Sequence, residues 1–225
     1  MNKNSIHVLT RQQESALATN KVLRNTYLLL GLNFLFSAFM AYLSFAMQAP
    51  PLNPLILIVG MYGLMFLTQS LRNSPMGLVA VFAFTGFLGF TLGPILSYYI
   101  AALVNGPQII TTALGGTGLI FFALSGYVLT TKQDFTYLGG FLFVAIMVAV
   151  LAMIAGIFLQ TPMLQLVISA AFILISSGLI LMETSAIIQG GETNYIMATV
   201  SLFVSLYNLF LSLLQILAAF SGREK

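Results

Sequence analysis

The 225-residue chain is 59% hydrophobic and only 6% charged, with a net charge of +3. A soluble domain carries about 25% charged residues, so lipid rather than water solvates most of this chain, and the small basic excess is not gathered into a nucleic-acid surface. With no Cys and a single His, His7, in a polar tail, it has no disulfide framework, no thiolate chemistry and no residues for most metal sites or Ser/His catalysis.

Residues 1–23 are rich in Asn, Gln, Ser and Thr and hold Lys3, Arg11, Glu14 and Lys21. They lack the apolar residues of a core and are expected to be mostly disordered in the cytoplasm. No short hydrophobic region with a small-residue cleavage site precedes the apolar core, so the first apolar run is expected to act as its own insertion signal. That run begins at Arg24 and extends to about Met47, ended by the turn Pro50-Pro51-Leu52-Asn53-Pro54. Further runs span about Leu55–Leu71, Met76–Val104, Gln108–Thr130 and Phe135–Leu159. The third holds Gly86, Gly89, Gly93 and Pro94, which predict close packing and a kink. The fourth holds Gly115, Gly116 and Gly118, expected to admit close helix approach.

Two runs end the chain, about Leu164–Gln189 and Tyr195–Phe220, joined by Gly190-Gly191-Glu192-Thr193-Asn194. Each of the seven runs is near or above the roughly 20 residues that cross a bilayer. The expected fold is therefore an all-α integral membrane protein, a bundle of seven transmembrane helices over residues 24–220 with a short C-terminal tail, 221–225. With the N-terminus inside, Lys3, Arg11, Lys21, Arg24, Arg72 and Lys132, six of the eight basic residues, fall on the cytoplasmic side, leaving the C-terminus periplasmic.

Within the terminal pair, Ser201, Ser205, Asn208, Ser212 and Gln215 recur at spacings that place them on one helix face, and Ser169, Ser176 and Glu183 recur every seven residues. Folded as an antiparallel hairpin about Glu192, the pair sets Glu183 level with Ser201, Ser176 with Asn208 and Ser169 with Gln215. A helix with such a polar stripe and apolar flanks fits the centre of a bundle. Glu183 is the acidic residue that lies inside an apolar run, and an ionisable residue there is a functional candidate by default. It could sense pH or hold a cation. Alternatively it lies near the inner interface, about 9 Å from Gln189. The Ser and Asn residues read equally well as interhelical hydrogen-bond donors and acceptors. No catalytic arrangement, cofactor motif or metal-ligand cluster is legible, so an enzyme is not expected.

Several stretches carry a resemblance: Lys21-Val22-Leu23-Arg24-Asn25-Thr26-Tyr27; Phe84-Thr85-Gly86-Phe87-Leu88-Gly89 with Gly93-Pro94; Tyr127 through Phe135; Leu181-Met182-Glu183-Thr184; and Ser205-Leu206-Tyr207-Asn208-Leu209-Phe210. From Lys21 to Leu217 the chain resembles the Bax inhibitor-1, or transmembrane Bax inhibitor motif, family, and most nearly its bacterial inner-membrane member that modulates the membrane protease FtsH. The resemblance implies seven helices with the last near the centre. It also implies that members acting as pH-sensitive calcium leaks pair an acid in the sixth helix with one in the seventh. Glu183 matches the first position and Ser205 stands at the second, so that pair is broken here. The bacterial likeness implies a substrate-like modulator of FtsH, gripped through residues 1–23, with Met1, Lys3, Arg11 and Lys21 in the engaged segment. The alternative is a proton- or calcium-linked leak centred on Glu183, with Ser201, Ser205 and Asn208 beside it.

Overall fold

The computed structural model describes residues 3–159 and 161–221, with side chains from residue 17 on apart from residue 157. These residues form α1 (Lys3–Ala46), α2 (Pro54–Leu71), α3 (Met76–Ala102), α4 (Gly106–Thr131), α5 (Leu138–Leu159), α6 (Pro162–Ile188) and α7 (Tyr195–Ser221). All seven are long and apolar enough to cross a membrane. Prolines at the first turns of α2, α4 and α6 lack only an N–H that a helix start leaves unpaired anyway. Asn53 adds a cap to α2, its side chain accepting from the Leu55 N–H at 2.9 Å. Lys132 ends α4 in the left-handed region, φ 54°.

Six helices match the apolar runs to within a few residues. The first does not. The backbone of α1 is helical from Lys3, so residues 3–23, expected to be mostly disordered, continue the membrane helix. Hydropathy marks where the apolar face ends, whereas a helix ends at a breaker, and Lys3–Leu23 contains neither Gly nor Pro. Met1, Gln160 and residues 222–225 lie outside the described residues, as do the side chains of Lys3 and Arg11.

Helix α7 packs against α1, α2, α3, α4 and α6, which makes it the central helix, as its polar stripe predicted. Ile196, Leu202, Phe203, Leu209 and Leu214 are fully buried along it. Helix α5 packs on α6 alone among the described residues.

The α1–α3 seam is built on small and polar residues. Thr85 Oγ1 donates to Asn33 Oδ1 at 2.6 Å, and Asn33 Nδ2 donates to the Leu29 carbonyl at 2.8 Å. A side chain at Gly89 would meet the backbone of Ser37, and one at Gly93 would meet Ser44. Helices that approach this closely need glycine at the crossing. Helix α3 runs unbroken through Pro94. By contrast, Gly115 and Gly118 have open space beside them and Gly116 only the Leu213 side chain, so the close approach expected at this α4 cluster is not made. Gly89→Ala is expected to cost about 1–3 kcal/mol, read as a lower thermal transition in detergent, while Gly115→Ala leaves the transition in place.

Candidate functional site at the α6–α7 seam

Glu183 lies on α6 one turn before its end, and Ser205 lies on α7, the helix it packs against. Glu183 is half-buried and Ser205 buried. The Ser205 hydroxyl stands 3.3 Å from Glu183 Oε2 and 3.4 Å from Oε1, and 3.0 Å from the Ser201 carbonyl behind it. A serine hydroxyl has one proton and two lone pairs, so two arrangements fit this geometry. The serine can donate to the carboxylate, or it can donate to the Ser201 carbonyl and accept from a protonated Glu183. Both arrangements use the same heavy-atom positions.

The expected Glu183–Ser201 pairing is thus replaced by Glu183–Ser205, one turn deeper. Side chains on a helix lean toward its N-terminus. In an antiparallel pair Glu183 leans inward along α6 while Ser205 leans back along α7, and the two tips meet. At the far end the expected register holds, since Ser169 Oγ donates to Gln215 Oε1 at 2.6 Å. Ser176 is buried and Asn208 half-buried, but they do not hydrogen-bond to each other.

Arg72 and Lys132, the loop cations that might have reached Glu183, act through their backbones. The Arg72 carbonyl accepts from Asn194 Nδ2 at 3.0 Å, and the Lys132 carbonyl accepts from Gln189 Nε2 at 3.2 Å. Among the described residues, Ser205 supplies the hydrogen-bond partner of the Glu183 carboxylate.

Three loops close this end of the bundle. Asn194 caps α7, its Oδ1 accepting from the N–H groups of Ile196 and Met197, and its Nδ2 also reaches Asn73 Oδ1 at 3.0 Å. Ser185 on α6 accepts from the Phe135 N–H at 2.9 Å, and its hydroxyl lies 3.2 Å from the Gln133 carbonyl. Next to it, the Thr136 hydroxyl and N–H both donate to Asp134 and hold its carboxyl below the usual carboxylate range. Deeper in, Thr184 Oγ1 lies 3.4 Å from Ser125 Oγ and 3.5 Å from the Tyr27 hydroxyl, linking α6 to α4 and α1.

Sequence reasoning passed over Asn194, although an Asn just before an apolar run is a cap signal. Asn194→Ala is expected to cost about 1–2 kcal/mol, measured as a lower unfolding midpoint, because it removes both the cap and the bridge to the α2–α3 loop.

A family model described as inhibitor of apoptosis-promoting Bax1 matches residues 19–222. The chain belongs to this Bax inhibitor family. Over 215 residues it is 56% identical to the modulator of FtsH protease YccA of Escherichia coli K12, covering 96% of this chain and 97% of that one. The corresponding protein of a second E. coli strain, with the same identity and coverage, is named an inner membrane protein. An uncharacterized Pseudomonas aeruginosa protein is 53% identical over 217 residues, covering 95% of this chain and 97% of its own length. The family membership agrees with seven apolar helices of which α7 packs against five, and the chain is a multi-pass membrane protein.

Proposed function

We propose that this chain is an inner-membrane modulator of the FtsH protease, with the N-terminus in the cytoplasm and the C-terminus in the periplasm. It would act as a substrate-like inhibitor rather than an enzyme. The observation that carries this reading is the near full-length likeness, 56% identity over 96% of the chain, to the E. coli FtsH modulator. A protease that pulls membrane proteins out by a terminal segment needs such a segment at the right face. Here α1 continues beyond its apolar part to Lys3, on the side that also carries Arg72 and Lys132. Such a segment lets the protease engage a tightly packed bundle that yields slowly, so the protease stays occupied. Met1, Lys3, Arg11 and Lys21 fall within the engaged segment.

The second reading, a calcium or proton leak centred on Glu183, has one specific observation behind it. The family's two acid positions, 183 and 205, do face each other across the α6–α7 seam. Ser205 leaves that position without the second carboxyl, which favours the modulator reading. Glu183→Gln separates the two. In vesicles containing FtsH, the variant is expected to slow the protease as the intact chain does, and neither chain is expected to pass calcium at any pH. A calcium leak through the intact chain that vanishes in Glu183→Gln would reverse the order of the two readings.

A further inference from the structure

Helices α1 and α4 both pack on α7 and meet each other through Tyr27 and Phe121, whose rings stack 5.7 Å apart, while their backbones stay apart along the rest of their length. Between them lies a cavity of about 650 Å³ that runs from Tyr27 to Phe45 along α1. Phe203, Leu206 and Phe210 of α7 form its floor, and its rim includes the exposed Tyr42, Leu114 and Phe122. Eighteen residues of helix span about 27 Å, so a cavity of that volume has a mean cross-section of about 24 Å², the girth of one extended hydrocarbon chain. It opens sideways between two membrane helices, so the medium that meets it is lipid.

We infer that this groove is a binding site for one acyl chain of a membrane phospholipid whose phosphate sits at the basic end of the bundle. The charge distribution chooses the end. Arg24 continues the groove-lining row of α1 one turn above Tyr27, and Lys21 follows it another turn on; both are exposed. Lys132 ends α4 on the same side. From residue 17 to its end α1 contains no acid, and neither does α4. At the opposite end the groove closes on Tyr42, Ile100 and Pro107, where neither α1 nor α4 has a charged residue. Of the two helices that flank the groove, both therefore offer an anionic headgroup cations at the Arg24 end, and its chain runs inward over α7. The site does not depend on the protease reading, because it rests on the groove and the cations alone.

Two glycines make a clean test. A side chain added at Gly31 or Gly118 meets no atom within 4 Å, and both line the groove. A Cβ has room at either position, so Gly31→Leu and Gly118→Leu place a side chain in the groove, and the thermal transition reports whether the bundle accepts it. The probe is phosphatidylglycerol with a diazirine midway along one acyl chain, in vesicles of phosphatidylethanolamine and phosphatidylglycerol holding the full chain. Labelling is expected to concentrate on groove residues of α1 and α4 over the lipid-facing Phe143 and Val148 of α5. The Gly118→Leu variant is expected to lower groove labelling about tenfold with an unchanged thermal transition, and Arg24→Gln to lower it for this probe but not for a diacylglycerol probe, which has no phosphate. Equal labelling of the groove and of α5, or groove labelling that survives both leucine variants, would reduce the lipid to ordinary surrounding bilayer and overturn the site. Groove labelling confined to the Tyr42 end would overturn the headgroup placement. If the glycine variants lose their thermal transition, native mass spectrometry of the intact chain decides: one retained phospholipid supports the site, and none contradicts it.

Discussion

A chain lacking residues 1–16 is expected to persist in membranes containing FtsH and to lose its effect on the protease, its half-life rising by about an order of magnitude. Degradation of a stable bundle is limited by how often the protease gains a grip, and the deleted residues belong to the polar segment that precedes the apolar run beginning at Arg24. The cut is placed at residue 16 rather than 23 because Val22 and Leu23 pack against the core around Leu29 and Leu30. Deleting them would loosen the bundle and accelerate turnover for an unrelated reason. Pulse-chase turnover and the decay of a second FtsH substrate are measured in the same cells. If the shortened chain were degraded as fast as the intact one and still slowed the second substrate, engagement through this segment would be refuted.

The second large effect is a gain. Ser205→Asp would place a carboxyl where the serine hydroxyl now stands, 3.3 Å from Glu183 Oε2. Two carboxyls at that separation cannot both carry charge comfortably and share a proton instead. That rebuilds the acid pair that the family likeness associates with pH-sensitive calcium leaks. The variant is expected to pass calcium in a pH-dependent way in proteoliposomes, where the intact chain passes none, and the double variant Glu183→Gln, Ser205→Asp is expected to be silent again. A tight Ser205→Asp vesicle at every pH would mean that the pathway is closed by more than the missing carboxyl. The loops pinned by Asn194 and Ser185 would then be the first place to look.

Much of this arrangement is written in the sequence because lipid imposes simple rules. Runs of twenty apolar residues have to be helices, and a helix with a stripe of Ser, Asn and Gln hides that stripe from lipid. The central position of α7 and the Ser169–Gln215 pair follow from that alone. The offset of Glu183 to Ser205 does not, because levels counted along the chain ignore the lean of side chains. The length of α1 escaped for a related reason: polarity says nothing about where a backbone stops being helical, and no breaker stands between Lys3 and Leu23.

The groove between α1 and α4 was illegible. Gly115, Gly116 and Gly118 look like a packing cluster, yet only a folded bundle reveals that Gly115 and Gly118 face open space and Gly116 meets just the Leu213 side chain. The same composition at Gly89 and Gly93 does meet a partner, in Ser37 and Ser44 of α1. Small residues announce that something can approach closely; which helix does so depends on contacts far apart in the chain.

The most direct test of the protease reading is the rate at which purified FtsH degrades a second membrane substrate in co-reconstituted vesicles as the intact chain is added. The expected result is a rate that falls with each addition while the added chain itself is consumed slowly. A rate that stays constant even when this chain far outnumbers the substrate would contradict modulation of FtsH.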